Sequence, residues 1–153
     1  MGNKKEPLRI LLADDHLVLR KGLSLLLSSE EDFTVVAEAS DGEEALEKAA
    51  KTAVDIALLD LSMPHMGGME CLHRLKEMQP DIRVLILTMH SERQYVCECL
   101  RAGANGYLCK DSLDAELFRA LRTVAAGSRY LGEREADLLI DGAIETPAAP
   151  VAL

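Results

Sequence analysis

The sequence is poor in aromatic and basic residues. Aromatic residues make up 3% of the 153 residues and tryptophan is absent, so a surface for stacking nucleic-acid bases is not expected. The 17 Lys and Arg residues face 26 Asp and Glu residues, which gives a net charge of −9. Because this charge opposes contact with a phosphate backbone, we expect the chain by itself to bind nucleic acid poorly.

Long apolar runs and paired cysteines are also missing. No apolar run approaches the roughly 18 residues of a membrane span, and Asp14 and Asp15 interrupt the first run too early for a signal peptide. The four cysteines, at positions 71, 97, 99 and 109, lack the CxxC spacing of a zinc site. We therefore expect a cytoplasmic protein that has reduced thiols and makes no contact with a membrane.

What the sequence does contain is a regular alternation of short apolar runs and longer amphipathic segments, from residue 8 to residue 127. Apolar runs without polar alternation are typical of parallel strands covered on both faces, and the segments between them have helical spacing. We therefore predict an α/β fold with a doubly wound parallel sheet of five strands in the order 2-1-3-4-5. The predicted strands are residues 8–13, 34–39, 55–59, 83–88 and 106–109.

Capping and breaking residues bound the later helices. The third helix is predicted over residues 68–78, since Pro80 helps to stop it. Ser91 is predicted to cap the fourth helix, and Ser112 is predicted to cap the fifth. These signals place a helix after each of the last three predicted strands, and five βα units can be counted in all.

The periodic pattern weakens after residue 127, so the folded domain is predicted to span residues 8–127. Residues 128–153 are expected to form a linker that contains one short helix at 133–141. From Gly142 onward, two prolines and several small residues favour extended chain. A linker that leads to no further element suggests a truncated chain.

Polar residues follow four of the five predicted strands. Asp14 and Asp15 follow the first, Asp60 the third and Lys110 the fifth, while Thr88 ends the fourth. Taken singly, each has an ordinary structural explanation as a helix cap, a turn residue, a strand residue or a solvated charge. Ligands of open parallel sheets bind beyond the carboxyl ends of the strands, so the combination indicates a functional site.

The chemistry of these side chains points to a phosphoryl group. Three converging carboxylates, from Asp14, Asp15 and Asp60, would repel one another and recruit a cation, and ligands that are all oxygen favour Mg²⁺ over zinc. The ammonium of Lys110 and the hydroxyl of Thr88 could meet phosphoryl oxygens beside that cation. Asp60 stands alone at the end of the central strand and is our choice of nucleophile. Neither a Walker loop nor a GxGxxG motif follows a strand, which disfavours nucleotide binding.

Several motifs at these strand ends resemble one family. They are LADDH at 12–16, LDLSMP at 59–64, LT at 87–88 and GYLCK at 106–110. Together they closely resemble the receiver domain of bacterial response regulators, over about residues 8–127. The details GL at 22–23, MPHMGG at 63–68 and KDS at 110–112 resemble its NarL/FixJ (LuxR-type) branch. The resemblance implies a flavodoxin-like (βα)5 receiver fold.

The resemblance also implies a division of roles among the site residues. Asp60 would accept a phosphoryl group from the phosphohistidine of a sensor histidine kinase or from a small phosphodonor. Asp14, Asp15, Asp60 and the backbone carbonyl of Ser62 would hold Mg²⁺, for which Mn²⁺ could substitute. Thr88 and Lys110 would contact the phosphoryl oxygens.

A conformational switch follows from the same resemblance. Tyr107 matches the family's switch aromatic and would turn inward when the hydroxyl of Thr88 moves toward the phosphoryl group. The chain would then be a signalling switch that catalyses only its own phosphorylation and slow autodephosphorylation, not a metabolic enzyme. Many receivers have proline after the conserved lysine, whereas Asp111 follows Lys110 here, so a trans peptide bond is expected at that position.

The expected partners are a histidine kinase and a second copy of the chain. A weak homodimer could form through the first and fifth helices, where Leu17, Leu25 and Leu26 are available, or through the face of the fourth helix, fifth strand and fifth helix. DNA would be reached only through a helix-turn-helix output domain, to which nothing in this chain is similar.

Two alternatives and one set of weak candidates stay open. A phosphohydrolase with an aspartate nucleophile usually carries a DxD pair, but His16 stands two residues after Asp14. A docking module without phosphorylation would not need the full set of acidic, hydroxyl and ammonium groups. No metal-binding or nucleophilic role is expected for the dispersed histidines at 16, 65, 73 and 90, although His65 and His90 could line the rim of the site.

Overall fold

The computed structural model describes residues 6–89 and 92–145. Its fold is a six-stranded parallel sheet with helices on both faces. The strand order is β2-β1-β3-β4-β5-β6. The strands are β1 (Leu8–Ala13), β2 (Phe33–Ala39), β3 (Ile56–Asp60), β4 (Arg83–Thr88), β5 (Gly106–Cys109) and β6 (Tyr130–Leu131). The helices are α1 (Leu17–Ser28), α2 (Gly42–Lys51), α3 (Gly68–Met78), α4 (Arg93–Arg101), α5 (Leu113–Ala125) and α6 (Glu133–Glu145), with a 3₁₀ turn at Lys110–Ser112.

The hydrophobic core consists of two clusters, one on each face of the sheet. Successive residues of a strand point to opposite faces, so Ile10 and Leu12 of β1 lie in one cluster and Leu11 and Ala13 in the other. Buried residues of α1 and α5 complete the first cluster, and those of α2, α3 and α4 complete the second. Burial on both faces explains why the strands are continuous apolar runs in the sequence.

The predicted elements agree closely with the observed ones. The bounds of β1, β4, β5 and α3 are those predicted from the sequence. Strand β2 begins one residue earlier, at Phe33, and β3 is displaced by one residue so that Asp60 is its last residue. Asp55 lies outside β3, where its carboxylate forms an ion pair with Arg9 at 3.0 Å.

The prediction of a five-stranded sheet is wrong by one strand. The order 2-1-3-4-5 is confirmed, but β6 adds a sixth parallel strand beside β5. Its two residues pair with Gly106 and Tyr107. A strand of two residues has no apolar run or alternation that periodicity could detect, because only its pairing with β5 defines it.

The short helix expected at 133–141 is found within α6, but the described tail packs on the rest of the domain and is not the linker that was expected. Residues 130–145 form β6 and α6, and α6 packs against α4 and β5. The helix extends beyond the predicted 133–141 to Glu145, so the extended chain expected from Gly142 is not found up to that residue. A glycine near a helix end costs only about 1 kcal/mol, which tertiary packing can offset. Residues 146–153 lie outside the described part of the chain.

The two predicted caps have different outcomes. Ser112 precedes α5, but its side chain makes no capping hydrogen bond, because the chain enters the helix through the 3₁₀ turn Lys110–Ser112. Ser91 lies outside the described residues, and Glu92 occupies the N-cap position of α4. Among the described residues, no helix has the length and apolar character that crossing a bilayer requires.

A close backbone approach fixes the start of α3 beside the end of β3. A methyl group added to Gly68 would lie 2.5 Å from the carbonyl oxygen of Asp60 and 2.7 Å from Cα of Leu61. The same loop is closed by the N–H of Gly68, which donates to the carbonyl of Leu61 at 3.0 Å. Only glycine fits here without moving the backbone that carries Asp60.

We predict that Gly68→Ala destabilises the protein by about 2 kcal/mol, because the added methyl group overlaps backbone atoms that cannot move aside. The matched control is Gly22→Ala in α1, where a methyl group meets nothing within 4 Å. This variant should be neutral or up to about 1 kcal/mol more stable, since alanine favours helix. Denaturant unfolding of both variants is the measurement, and equal stabilities would contradict the close approach.

Candidate functional site

The carboxyl ends of four neighbouring strands bring the predicted polar residues to one edge of the sheet. Strands β1, β3, β4 and β5 are parallel, so their ends lie on the same side. Asp60 ends β3, Thr88 ends β4, and Asp14 and Lys110 directly follow β1 and β5. The structure therefore places these four residues, predicted separately from the sequence, at a common edge.

Lys110 joins two of the carboxylates directly. Its Nζ lies 2.8 Å from Oδ2 of Asp14 and 3.2 Å from Oδ2 of Asp60. The side chain of Lys110 is only 8% exposed and both carboxylates are 4% exposed. Burial lowers the pKa of Lys110, but the hydrogen bond to Asp14 and the charge of Asp60 outweigh it and raise this pKa above its ordinary value. The group is therefore an ammonium at neutral pH.

Asp60 is a poorly solvated carboxylate. Burial is the main cause that raises its pKa above the ordinary value, and the negative charge of Asp14 raises it further. The ammonium of Lys110 and the N–H of Ser62, which lies 3.2 Å from Oδ1, act in the opposite direction. This carboxyl group therefore holds its proton more strongly than an exposed aspartate does.

Asp14 is held firmly in place by its neighbours. Its Oδ1 accepts a hydrogen bond from the backbone N–H of His16 at 2.8 Å, and its own N–H donates to the carbonyl of Ala39 at 3.0 Å. The guanidinium of Arg20 donates to the Asp14 carbonyl at 2.6 Å and also contacts Glu38 at 3.0 Å. Sequence reasoning missed Arg20, because its position one turn into α1 carries no motif signal.

A group of possible metal ligands surrounds the end of β1. Ligand atoms of Asp14, Asp15 and His16 all lie within 4.8 Å of one another, and Asp15 and His16 are exposed. Carboxylate oxygens at a solvent-accessible position suit Mg²⁺, which keeps several water ligands, and an added imidazole nitrogen is compatible with Mn²⁺. The carboxylates of Asp14 and Asp15 therefore fit the expected ion, whereas Asp60, the third predicted carboxylate ligand, is not part of this group. The sequence had given His16 no role, although its position beside the acidic pair was a signal.

The remaining predicted site residues differ in burial. Thr88 and Tyr107 have no exposed surface, and burial raises the pKa of Tyr107 above its ordinary value. Ser62 is exposed and contacts Asp60 through its N–H, while the metal-binding role of its carbonyl stays a prediction. The peptide bond between Lys110 and Asp111 is trans, as expected.

His65 ties the loop after β3 to the start of α2. Its Nδ1 lies 2.8 Å from Oδ2 of Asp41, the residue that caps α2. His65 has a φ of 64°, a left-handed conformation that is uncommon for residues other than glycine. The ion pair and the close packing of Gly42 against Met66 hold this loop beside the site. His90, the other expected rim residue, lies outside the described residues.

Comparison with known proteins gives consistent matches. The family model of the response regulator receiver domain matches residues 10–122. The oxygen regulatory protein NreC of Staphylococcus epidermidis is 42% identical over 125 residues, which are 81% of this chain and 57% of that protein. The nitrate/nitrite response regulator protein NarL of Escherichia coli is 42% identical over 131 residues, which are 86% of this chain and 61% of that protein.

A solved structure agrees with the sequence matches. The crystal structure of a LuxR-family two-component response regulator from an Aurantimonas species superimposes with a TM-score of 0.87 at 34% identity, over 90% of this chain and 99% of that one. The chain spans only 57% and 61% of the length of NreC and NarL. The fold, the arrangement of strand ends and these matches lead to one conclusion: the chain belongs to the response regulator receiver family, in its NarL/FixJ (LuxR-type) branch.

Proposed function

We propose that this receiver accepts a phosphoryl group on Asp60 from the phosphohistidine of a sensor histidine kinase, or from a small phosphodonor. The observation that carries the proposal is the buried ammonium of Lys110, which contacts both Asp14 and Asp60. A phosphoryl group brings about two negative charges at neutral pH and needs a cation in a fixed position. Lys110 supplies that cation next to the proposed acceptor.

The chemical step divides between Asp60 and the groups around it. A carboxylate oxygen of Asp60 attacks phosphorus while the bond from phosphorus to the kinase imidazole nitrogen breaks. The electron pair of that bond stays on the leaving ring nitrogen. The product is neutral imidazole directly if the other ring nitrogen carries a proton, and after a proton is taken from water if it does not. Lys110 and the hydroxyl of Thr88 stabilise the phosphoryl oxygens as their charge is redistributed, so positioning and electrostatics supply most of the rate.

The proposed ion site uses residues of the same edge. Asp14, Asp15, Asp60 and the carbonyl of Ser62 would hold Mg²⁺, or Mn²⁺ in its place. When bound, the ion neutralises phosphoryl charge that Lys110 alone cannot balance. The exposed position of Asp15 leaves space for water ligands, as Mg²⁺ requires.

Output is proposed to pass through Thr88 and Tyr107 to surfaces of the domain. The chain spans about three fifths of the length of NreC and NarL, so DNA binding would belong to a further domain of a cytoplasmic transcription regulator.

A weak homodimer is proposed through α1 and α5, because Val18 and Leu25 of α1 are 87% and 76% exposed. The alternative face of α4, β5 and α5 is partly covered by β6 and α6.

The two rival functions are less well supported. A phosphohydrolase usually carries a second acidic group two residues beyond the first, but His16 stands two residues after Asp14. A docking module that is never phosphorylated gives no reason for burying Asp14, Asp60 and Lys110 together, an arrangement with a large desolvation cost.

We predict that Asp60→Asn abolishes labelling by a small phosphodonor in the presence of Mg²⁺, because the amide cannot act as the nucleophile. Mass spectrometry of the intact chain and peptide mapping measure the label. Asp55→Asn is the matched control, since Asp55 precedes β3 at the end of the strand opposite Asp60 and pairs with Arg9. Undiminished labelling of the Asp60 variant at another residue would contradict the assignment.

Asp15→Asn should weaken Mg²⁺ binding by about tenfold or more, because the loss of a carboxylate removes both charge and a strong ligand. Asp15 is exposed, so the fold should be unaffected. Calorimetric titration with Mg²⁺ measures the affinity, and Asp81→Asn, at an exposed position distant in sequence, is the control. Equal affinities in the two variants would remove Asp15 from the ion site.

Lys110→Ala should lower the free energy of unfolding by about 2 kcal/mol at neutral pH without metal, because two buried carboxylates lose their charged partner. Lys110 lowers the pKa of Asp60, so that pKa rises further in the variant. A carboxyl whose pKa is raised by folding favours the fold below its unfolded pKa, and this contribution is lost as the pH rises through the folded pKa.

The loss of unfolding free energy in Lys110→Ala should therefore become smaller as the pH falls toward about 4, near the ordinary pKa of an aspartate. Denaturant unfolding over a pH series is the measurement. Lys51→Ala, which removes an exposed lysine at the end of α2, should show no such pH dependence. A deficit that is constant with pH would mean that Lys110 contributes through packing alone.

A further inference from the structure

Lys76, in the last turn of α3, contacts only neutral oxygens. Its Nζ donates to the carbonyl of Ile82 at 2.7 Å and to Oδ1 of Asn105 at 2.8 Å. Within residues 6–89 and 92–145 it forms no ion pair with a carboxylate. Three other lysines in this part of the chain each contact one, namely Lys21, Lys48 and Lys110. The environment of Lys76 therefore does little to favour the charged form of its amine.

The side chain of Lys76 is half-buried and held in place by its neighbours. A methyl group added to Gly103 would lie 3.7 Å from Cε of Lys76 and 3.8 Å from Cγ, so the aliphatic stem lies along the turn before β5. Oδ1 of Asn105, which accepts from Lys76, also accepts from the N–H of Val84 at 2.9 Å. The amine is therefore fixed at the amino ends of β4 and β5, the edge of the sheet opposite Asp60.

Two arginines flank this amine. Arg83 is the first residue of β4, and Arg129 directly precedes β6. The N–H of Tyr130 donates to the carbonyl of Asn105 at 3.0 Å, which places Arg129 beside the residue that Lys76 contacts. Neither arginine forms an ion pair with any residue that the structure describes. The strand ends therefore carry two guanidiniums without a bound anion.

The local excess of positive charge acts on Lys76. Burial is the main cause that lowers its pKa below the ordinary value, and the charges of Arg83 and Arg129 lower this pKa further. The charge of Arg83 also reaches Asp55, but both oxygens of that carboxylate are already bound by Arg9, at 3.0 and 3.1 Å. More of the Lys76 amine is thus unprotonated, and therefore nucleophilic, than in an ordinary exposed lysine.

We propose that Lys76 is a site of reversible carbamate formation with carbon dioxide, and that Arg83 and Arg129 bind the carbamate. The ammonium first releases a proton to water. The lone pair of the amine then attacks the carbon of carbon dioxide, and a nitrogen–carbon bond forms while one electron pair of a carbon–oxygen double bond moves to oxygen. The nitrogen loses a second proton to water, which leaves an anionic carbamate.

The product suits the surroundings better than the ammonium does. A carbamate has the planar, two-oxygen geometry that guanidinium groups bind, and it supplies the negative charge that Arg83 and Arg129 lack. Its nitrogen keeps one N–H, which continues to donate to the carbonyl of Ile82. Oδ1 of Asn105 keeps the N–H of Val84 as its donor, so the reaction leaves neither acceptor without a hydrogen bond.

Carbon dioxide also fits the position better than a larger electrophile. It is small and uncharged, so it reaches a half-buried amine at a low desolvation cost. An acyl group would convert the amine to a neutral amide and leave both guanidiniums without an anion. The charge of the flanking residues therefore selects a reaction whose product is negative.

The direct test traps the carbamate in the 153-residue chain. The chain is equilibrated at neutral pH with carbon-13 bicarbonate and carbon dioxide, alkylated with triethyloxonium, and analysed by peptide mapping and mass spectrometry. Each unit by which a lysine pKa falls raises the free amine about tenfold, so we expect about fivefold or more label at Lys76 than at the exposed Lys51. Equal labelling of the two lysines would overturn the proposal.

Lys76→Arg keeps the positive charge and hydrogen-bond donors but removes the nucleophilic amine. We expect the variant to lose the main carbamate signal in the carbon-13 NMR spectrum, while Lys51→Arg, the matched control, keeps it. Circular dichroism checks that both variants are folded. A main carbamate signal that persists in folded Lys76→Arg would place the reaction at another amine and overturn the assignment.

Arg83→Gln and Arg129→Gln test the binding of the product. Acetylation of Lys76 by acetic anhydride depends on the free amine but gives a neutral product, whereas carbamate formation also depends on the new negative charge. We expect carbamate occupancy in each variant to fall about threefold or more beyond any fall in the acetylation rate. Arg74→Gln, on an exposed arginine of α3 that pairs with Glu70, is the control. Equal falls in the two reactions would overturn the binding of the carbamate by these arginines.

Discussion

The buried contact of one ammonium with two carboxylates is the constraint on which the candidate site depends. Lys110 joins the ends of β1, β3 and β5 by contacting Asp14 and Asp60. Taking such charges out of water costs several kcal/mol for each ion, and their mutual attraction offsets only part of that cost. The apolar clusters on both faces of the sheet supply the stability that this edge lacks. The arrangement is best explained by function, since an apolar edge would be at least as stable.

The same constraint relates the site to the surface. Lys110 directly follows β5, the strand that contains Tyr107. Strand β5 is also the strand to which β6 is paired, and α6 packs against α4 beside it.

The sequence predicted the central sheet well because burial on both faces leaves an unambiguous pattern. Apolar runs marked β1, β4 and β5 to the residue, and the parallel order brought Asp14, Asp60, Thr88 and Lys110 to one edge. The features that sequence reasoning missed depend on tertiary contacts. Strand β6 exists only through its pairing with β5, and the packing of α6 on α4 and β5 could not be predicted, although its helix was expected at 133–141. The capping by Ser112 failed because a 3₁₀ turn precedes α5.

The central claim is that burial and the charge of Asp14 raise the pKa of Asp60 above its ordinary value, even beside a charged lysine. The most direct measurement is a carbon-13 NMR titration of the Asp60 carboxyl carbon in the metal-free protein. The account predicts a pKa above the ordinary value of about 3.9 and a fall in that pKa when Mg²⁺ is added. A pKa at or below the ordinary value, unchanged by Mg²⁺, would contradict the account.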